Sequence, residues 1–342
     1  MKEISIIAPN IKNGGGRELL EYLLSYIEQE YPHLTVYVYL DSSLANIKTT
    51  KNRRVFLLSS TLEKVLLFGR KTNNALYFGN LPPLVKSENS IVYFHNLYLL
   101  MPLKKLTKTS ARFFAKYFLQ QFYIRCFIRN VDIVACQNEG VKDKFIEKYS
   151  FQNVELLPFF RLCDKNLLKV NAKKYDFCYV SLAHRHKNHH RLIEACEILS
   201  SENISFSLAL TIEDGHEDLI KKIEHVNQRG KVNIVNLGKL PKEEMCTLYT
   251  QSKCLVFPST EETFGLGLVE AVNMDVDVVA SDLDYVYQAI EPSLVFDPNS
   301  SLDISLKMKK YLYGTVQKSK SKIDNKIGRL IKILTKEGNV QK

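Results

Sequence analysis

Short apolar runs alternate with stretches of helical periodicity along the whole chain. Parallel strands in one sheet need a crossover between them, most often a helix, so this alternation calls for parallel sheets with helices on their faces. In the first half the runs predict strands at Ile4–Ala8, Thr35–Leu40, Val55–Leu58, Ala75–Phe78, Ile91–Phe94 and Ile133–Cys136. The pattern then starts again at Asp176–Val180, Ser205–Leu210, Asn233–Asn236, Cys254–Phe257 and Val276–Ala280. Between the two sets, Phe159–Lys174 has no clean period and reads as a linker. A chain of 342 residues is also too long for one ordinary core. The expected fold class is α/β, with two Rossmann-like doubly wound domains facing a central cleft. The expected boundaries are 1–165 for an N-terminal Rossmann-like domain and 166–300 for a C-terminal one. Residues 301–342 form terminal helices, near Ser300–Tyr313 and Ile323–Leu334, packing back toward the N-terminal domain. Folds of this kind bind ligands at the carboxyl ends of their strands.

With 45% hydrophobic and 25% charged residues the chain has the composition of a globular protein. The opening apolar run carries Glu3 and is too short for a signal peptide, and no segment approaches the roughly 18 apolar residues of a membrane span. The seven cysteines are scattered without a CxxC pair, which suits reduced thiols in a cytoplasmic protein. The net charge of +10 is unevenly spread. No acid lies between Asn89 and Val131, where Lys104, Lys105, Lys108, Arg112, Lys116, Arg125 and Arg129 fall. The tail from Ser301 has eleven basic residues against Asp303, Asp324 and Glu337. Such stretches suit a polyanion: nucleic acid, anionic lipid or a phosphorylated ligand.

The most specific local pattern follows the strand ending at Phe257. There Glu262-Thr-Phe-Gly-Leu-Gly-Leu-Val leads into Glu270, with a helix expected to start near Phe264. A carboxylate accepts paired hydrogen bonds from vicinal hydroxyls, and the N–H groups that open a helix accept phosphate. The two together suit a nucleotide sugar. Taken alone, an acidic pair at a helix start also serves simply to offset the helix dipole. Further upstream, Arg185 and Lys187 precede a helix expected from Asn188, a placement that lets two cations meet a diphosphate. His184, His186, His189 and His190 lack a nearby Cys or acid at ligand spacing, so no metal is expected there. In the first half, Gly14-Gly15-Gly16 between the first strand and its helix permits close backbone approach to an anion or a sugar. His95 ends the strand Ile91–Phe94 and points at the carboxyl edge of the sheet.

Asp275-Val-Asp277 and Asp282-Leu-Asp284 look like metal-nucleotide triplets, but their places fit a turn and a helix cap. Lys105, Lys108, Arg112 and Lys116 recur at helical spacing beside Phe113, Phe114, Tyr117, Phe118 and Phe122. This basic-aromatic helix, within 105–129, suits either an anionic membrane surface or an ordinary core-facing helix with solvated charges.

Phe257-Pro-Ser-Thr-Glu-Glu262-Thr-Phe-Gly-Leu-Gly-Leu-Val-Glu270-Ala271 resembles the signature of retaining glycosyltransferases of family 4, which have the GT-B fold. Tyr179-Val-Ser and His186-Lys187-Asn188-His-His-Arg-Leu-Ile-Glu194-Ala195 resemble their diphosphate-binding segment, and Gly238-Lys-Leu, Leu248-Tyr249 and Ala280-Ser-Asp-Leu283 fit the segments around it. Gly14–Gly16, Gly79-Asn80-Leu-Pro-Pro83 and Tyr93-Phe-His95-Asn96 look like members acting on bacterial surface polysaccharides.

The resemblance implies a hexosyltransferase that needs no metal or other cofactor, uses a nucleotide-sugar donor and a lipid-linked oligosaccharide acceptor, and serves O-antigen, capsule or related synthesis. It implies a cytoplasmic enzyme, peripheral on the inner face of the membrane. Glu262, with the backbone of Phe264, Gly265 and Leu266, would hold the donor's hydroxyls and diphosphate, and Glu270 the ribose. Lys187, assisted by Arg185, would neutralise the diphosphate. His95 and Gly14–Gly16 would close over the transferred sugar. Retention is written in this family as front-face attack, with the departing diphosphate taking the acceptor's proton. Three departures stand out: Ser181-Leu182 where Gly-Arg is common, Gly267 for the usual Pro, and Asn273-Met-Asp275-Val-Asp277 for an Ala-x-Gly-x-Pro turn. Two other readings stay open at this stage, a nucleotide-sugar 2-epimerase of the same fold and a basic nucleic-acid-binding module, although no nucleic-acid motif is present.

Overall fold

A computed structural model describes residues 2–12, 14–107, 110–163 and 172–337. Its contacts divide the chain into one unit of Met1–Arg161 with Asp324–Lys342 and a second of Leu162–Ile323.

The first unit is built on strands β1 (Glu3–Ala8), β2 (Thr35–Asp41), β3 (Arg53–Leu58), β4 (Ala75–Phe78), β5 (Ser90–Phe94), β6 (Ile133–Cys136) and β7 (Val154–Leu156). They pair in the order β3-β2-β1-β4-β5-β6-β7, all parallel. Helices α1 (Gly14–Glu30), α2 (Thr61–Phe68), α3 (Leu103–Leu106), α4 (Ala111–Phe127) and α5 (Glu139–Tyr149) connect them. The period of two sorts side chains to the two faces of the sheet. Ile4, Ile6, Leu76, Phe78, Ile91 and Tyr93 meet α1 on one face. Ile7, Tyr77, Val92 and Phe94 meet α2, α4 and α5 on the other.

The second unit repeats the plan with β8 (Tyr175–Tyr179), β9 (Phe206–Leu210), β10 (Val232–Asn236), β11 (Ser252–Phe257), β12 (Asp277–Ser281), β13 (Ile290–Glu291), β14 (Leu294–Phe296) and β15 (Lys320–Ser321). The main sheet runs β10-β9-β8-β11-β12-β14, while β13 and β15 form a small antiparallel pair. Its helices are α6 (His189–Ser201), α7 (Glu217–Gln228), α8 (Lys242–Thr250), α9 (Leu266–Asn273), α10 (Asp284–Ala289) and α11 (Ser301–Tyr313). The last helix, α12 (Ile327–Leu334), belongs to the first unit.

Three expectations change here. The terminal segment 301–342 does not stay together: α11 buries Ile304 and Met308 in the second unit against α6, whereas α12 buries Ile327, Leu330, Ile331 and Leu334 in the core of the first. Gly14–Gly16 is not a loop, since α1 starts at Gly14. The cysteines are not all thiols. Cys163 and Cys246 form a disulfide across 83 residues, with Cα atoms 5.7 Å apart, joining the start of the second unit to α8. Part of the linker stretch, 164–171, lies outside the described residues, as do Lys108 and the end of the basic tail beyond Glu337. Among the described residues no helix is long and apolar enough to cross a membrane.

In each sheet the strand order turns back once, between β1 and β4 and between β8 and β11. At such a switch point neighbouring connections leave in opposite directions and open a crevice beyond the strand ends. In the second unit Arg185, Lys187 and Glu262 follow β8 and β11, the two strands that flank its switch point; in the first, α1 opens after β1, and His95 follows β5, one strand further along the sheet.

Candidate active site

In the second unit the loops after β8 and β11 leave the sheet side by side and are laced together. Thr260 N–H donates to the His186 carbonyl (2.8 Å), and the Ser259 hydroxyl donates to the same oxygen (3.2 Å). Asn188, in left-handed conformation at φ 64°, donates its amide to the carbonyls of Pro258 (3.0 Å) and Pro298 (2.8 Å). The Tyr179 hydroxyl donates to the Lys187 carbonyl (2.8 Å), and Tyr285 to that of Ser259 (2.8 Å). This frame brings the Lys187 ammonium to the Glu262 carboxylate, 2.5 Å apart, with both side chains mostly buried. Residues 75 positions apart in sequence thus form one charged pair beside the switch point.

Helix α9 begins just after this pair. Its N-cap, Gly265, sits at φ 73° and ψ 46° and no side chain caps the helix. A Cβ there would lie 2.9 Å from Leu268 Cδ1, so glycine answers both the backbone and the space. The uncapped first turn presents N–H groups that suit an anion. Glu270 follows in the second turn, 5% exposed, and its carboxylate is ion-paired with Lys242 of α8 and accepts a 3.5 Å hydrogen bond from the Tyr249 hydroxyl. Burial, and then the neighbouring Glu270, hold the Tyr249 phenol well above its ordinary range. Lys242 and Tyr249 were given no role by the sequence. Both lie on α8, more than twenty residues before Glu270, and no local spacing links them to it.

Arg185 stands exposed on the same short turn as Lys187. The histidine run disperses. His189 is 2% exposed, its ring 4.7 Å from that of Tyr179, with neither ring nitrogen hydrogen-bonded. Desolvation pushes its pKa down to about 4. His190 turns to Asp218 (3.3 Å), and His184 and His186 lie ring to ring at 5.9 Å.

In the first unit His95 follows the last residue of β5. Its backbone N–H donates to Asn80 Oδ1 (2.7 Å), and Asn80, just beyond β4, is itself left-handed at φ 72°. The ring packs on Phe78 and Tyr93, its Nδ1 is buried without a hydrogen bond, and burial pushes its pKa down to about 4. The ring is therefore neutral at physiological pH. Nε2 faces the first turn of α1: a Cβ on Gly16 would come to 3.5 Å from it and to 3.2 Å from Ile11 Cδ1. Gly15 has open space at the same place. The predicted pair of Gly-rich segment and histidine is adjacent in this unit, with Gly16 as the close neighbour.

Two doubly wound parallel sheets of this order define the GT-B fold. Residues 164–327 match the family model described as glycosyl transferases group 1. The chain is 24% identical over 181 residues to the O-antigen chain mannosyltransferase RfbU of Salmonella typhimurium, covering 51% of this chain and 50% of that one. It is 31% identical over 125 residues to the O-antigen chain mannosyltransferase B of Escherichia coli, covering 35% and 32%. The chain thus spans half or less of the length of these relatives. Among solved structures, Anabaena Alr3699/HepE in complex with UDP and glucose superposes with a TM-score of 0.61 at 15% identity, covering 92% of this chain and 90% of that one, a likeness of fold. Fold, matched segment and relatives together support a glycosyltransferase.

Proposed function

We propose that this protein moves a hexose from a nucleotide-sugar donor to a lipid-linked oligosaccharide in the synthesis of a bacterial surface polysaccharide, an O-antigen or capsule, with retention at the anomeric carbon and without a metal. The observation that carries this reading is the Lys187–Glu262 pair at the opening of α9, with Glu270 held about one turn further in. Lys187, helped by Arg185, faces the donor diphosphate and stabilises the charge that grows on it as the bond from the anomeric carbon breaks. The N–H groups of Phe264, Gly265 and Leu266 share that task at the helix start. Glu262 accepts from hydroxyls of the sugar, and Glu270 from those of the ribose. In the first unit, neutral His95 serves a sugar hydroxyl beside Gly14–Gly16. The acceptor oxygen forms the new bond to the anomeric carbon, and its proton leaves on the diphosphate. Mannose is the first sugar to test, because the two relatives are named mannosyltransferases.

A panel of UDP- and GDP-hexoses scored by thermal shift should raise the melting temperature with one donor, since a ligand bound by the native state stabilises it. Turnover with that donor and a lipid-linked acceptor should fall by about a hundredfold or more in Glu262→Ala and in Lys187→Ala, the scale of losing a group that stabilises the transition state. Full turnover in both folded variants would end the assignment. Conversion of UDP-GlcNAc without any acceptor would replace it with epimerisation.

A further inference from the structure

A helix on the surface of a globular unit needs one apolar stripe, the one that meets the core. Two helices of the first unit have a second. On α4, Tyr117 and Ile124 are buried and Gln121 is turned inward, its amide donating to the carbonyls of Tyr98 (3.0 Å) and Met101 (3.1 Å). The opposite side carries Phe118, Leu119 and Phe122, exposed by 42%, 62% and 61%. On α2, Leu67 and Phe68 are buried, and Lys64 turns in to Asp41 at the end of β2 (2.5 Å). That leaves Leu62, Val65 and Leu66, at i, i+3 and i+4, exposed by 67%, 50% and 64%.

Both helices cover the same face of the sheet. The segment between them is tied to each: Leu84 N–H donates to the Phe68 carbonyl (2.9 Å), the Tyr123 hydroxyl to that of Pro82 (2.9 Å), and the Asn130 amide to that of Leu84 (2.8 Å). The two outward stripes therefore belong to one layer. Next to α4, a groove of about 300 Å³ runs between Leu103, Phe118 and Phe122 and is closed by Arg125 and Lys148.

The charge around the layer selects the occupant. Arg112, Lys116 and Arg125 lie on α4 itself, Lys104 and Lys105 are exposed on α3, which packs against α4, and the stretch from Ser90 to Val131 contains no acid. On α2, Glu63 is used in the capping box with Ser60, and Arg70 lies beyond the helix end. A second copy of the chain docked here by two-fold symmetry would set this cationic face on itself. A surface with apolar depth and anionic headgroups complements both properties at once.

We infer that α2 and α4 together form the face by which this protein lies on an anionic membrane, with Leu62, Val65, Leu66, Phe118, Leu119 and Phe122 entering the headgroup boundary. The inference rests on the lipid-linked acceptor proposed above and names the surface on which that acceptor would be met. It goes beyond the basic-aromatic helix legible in the sequence, because α2 is neither aromatic-rich nor strongly basic and contributes half of the face.

The experiment is flotation of the whole protein with phosphatidylcholine vesicles, with and without phosphatidylglycerol. Wild type should float with the anionic vesicles and less so as salt rises. Leu62→Asp with Leu66→Asp, and separately Leu119→Asp with Phe122→Asp, should each lower the partition coefficient about tenfold or more, given the apolar area each pair would bury. All these positions are solvent-exposed, and far-ultraviolet circular dichroism checks that the fold persists. Flotation unchanged by the α2 pair would overturn the two-helix face, as would equal binding to neutral vesicles. A wild-type dimer in sedimentation that either pair dissociates would overturn it in favour of self-association. Turnover on a water-soluble acceptor analogue in lipid-free buffer should be the same in wild type and both pairs. Its absence in all of them counts against the transferase reading, whatever the flotation result.

Discussion

His189 gives the second unit a built-in sensitivity to acid that can be calculated in advance. Its ring is sealed between α6 and Tyr179 with no hydrogen bond to either nitrogen, and burial lowers its pKa from 6.5 to about 4. Above about pH 7 the ring is neutral in both folded and unfolded chains and has no pH-linked effect. Below 6.5 the unfolded chain gains a proton that the folded one refuses, so stability is lost as pH falls toward 4. At 1.36 kcal/mol per pKa unit the full loss is about 3 kcal/mol, and roughly 2 kcal/mol of it is present at about pH 5. His189→Phe keeps a ring against Tyr179 and removes the titration. Melting temperatures of variant and wild type should therefore diverge in the variant's favour between about pH 7.5 and pH 5, by roughly 4–8 °C for a unit of this size. The change in the gap is the readout, so a constant offset from packing does not matter. A gap that stays the same at both pH values would refute the reasoning, because the folded ring would then titrate like the unfolded one.

Other expectations are independent of this one. Gly265→Ala should cost roughly 1–2 kcal/mol from the left-handed backbone alone, with more from the contact with Leu268, and should weaken donor binding in a thermal-shift assay. Unchanged stability and affinity would mean α9 can start without it. Titration of the denatured, unreduced protein should find five thiols, rising to seven after reduction, and Cys246→Ser should destabilise the second unit by up to about 4.5 kcal/mol on the chain-entropy account of an 83-residue separation. Seven thiols before reduction would remove the crosslink. Lys242→Met should lower stability by roughly 1–3 kcal/mol, as it takes the ammonium from a buried carboxylate, and an unchanged melting temperature would argue that Glu270 does not depend on it.

The alternation of strands and helices was legible because the central strands of both sheets, β1, β4, β5, β8, β11 and β12, are largely buried and apolar, so their runs stand out from the helical patterns around them. The edge strands β7 and β14 escaped notice. They have three residues each and are partly exposed, too short for any period to show. Helix α1 began earlier than the glycines suggested, since Gly14–Gly16 has low helix propensity and tertiary packing overrides it. The α4 region could not be resolved from sequence because apolar residues go nearly all the way round it. Coordinates were needed to show that one set faces the core and another faces out. Among the candidate site residues, Glu262, Glu270 and Lys187 could be named from spacing around strand ends. Their partners could not. Lys242, Tyr249 and the Cys163–Cys246 link depend on which helix a sheet order brings next to which, and that information is not local.

Helix α12 also sets an order of events during synthesis. The core of the first unit contains Ile327, Leu330, Ile331 and Leu334, and the helix is fastened there by Lys326 N–H on the Pro158 carbonyl and by the Asn89 amide on that of Leu334. A ribosome that has just finished Arg161 has made seven strands but not this last piece. At about 5–20 residues per second, roughly 10–35 s pass before Leu334 emerges into the chain. Through that interval the part of the first unit's core that this helix completes, beside Tyr26 of α1, stays uncovered, a natural target for a chaperone. For the same reason a fragment cut at Arg161 is the wrong place to look for an independent domain. Residues 324–337 would have to be joined back to it.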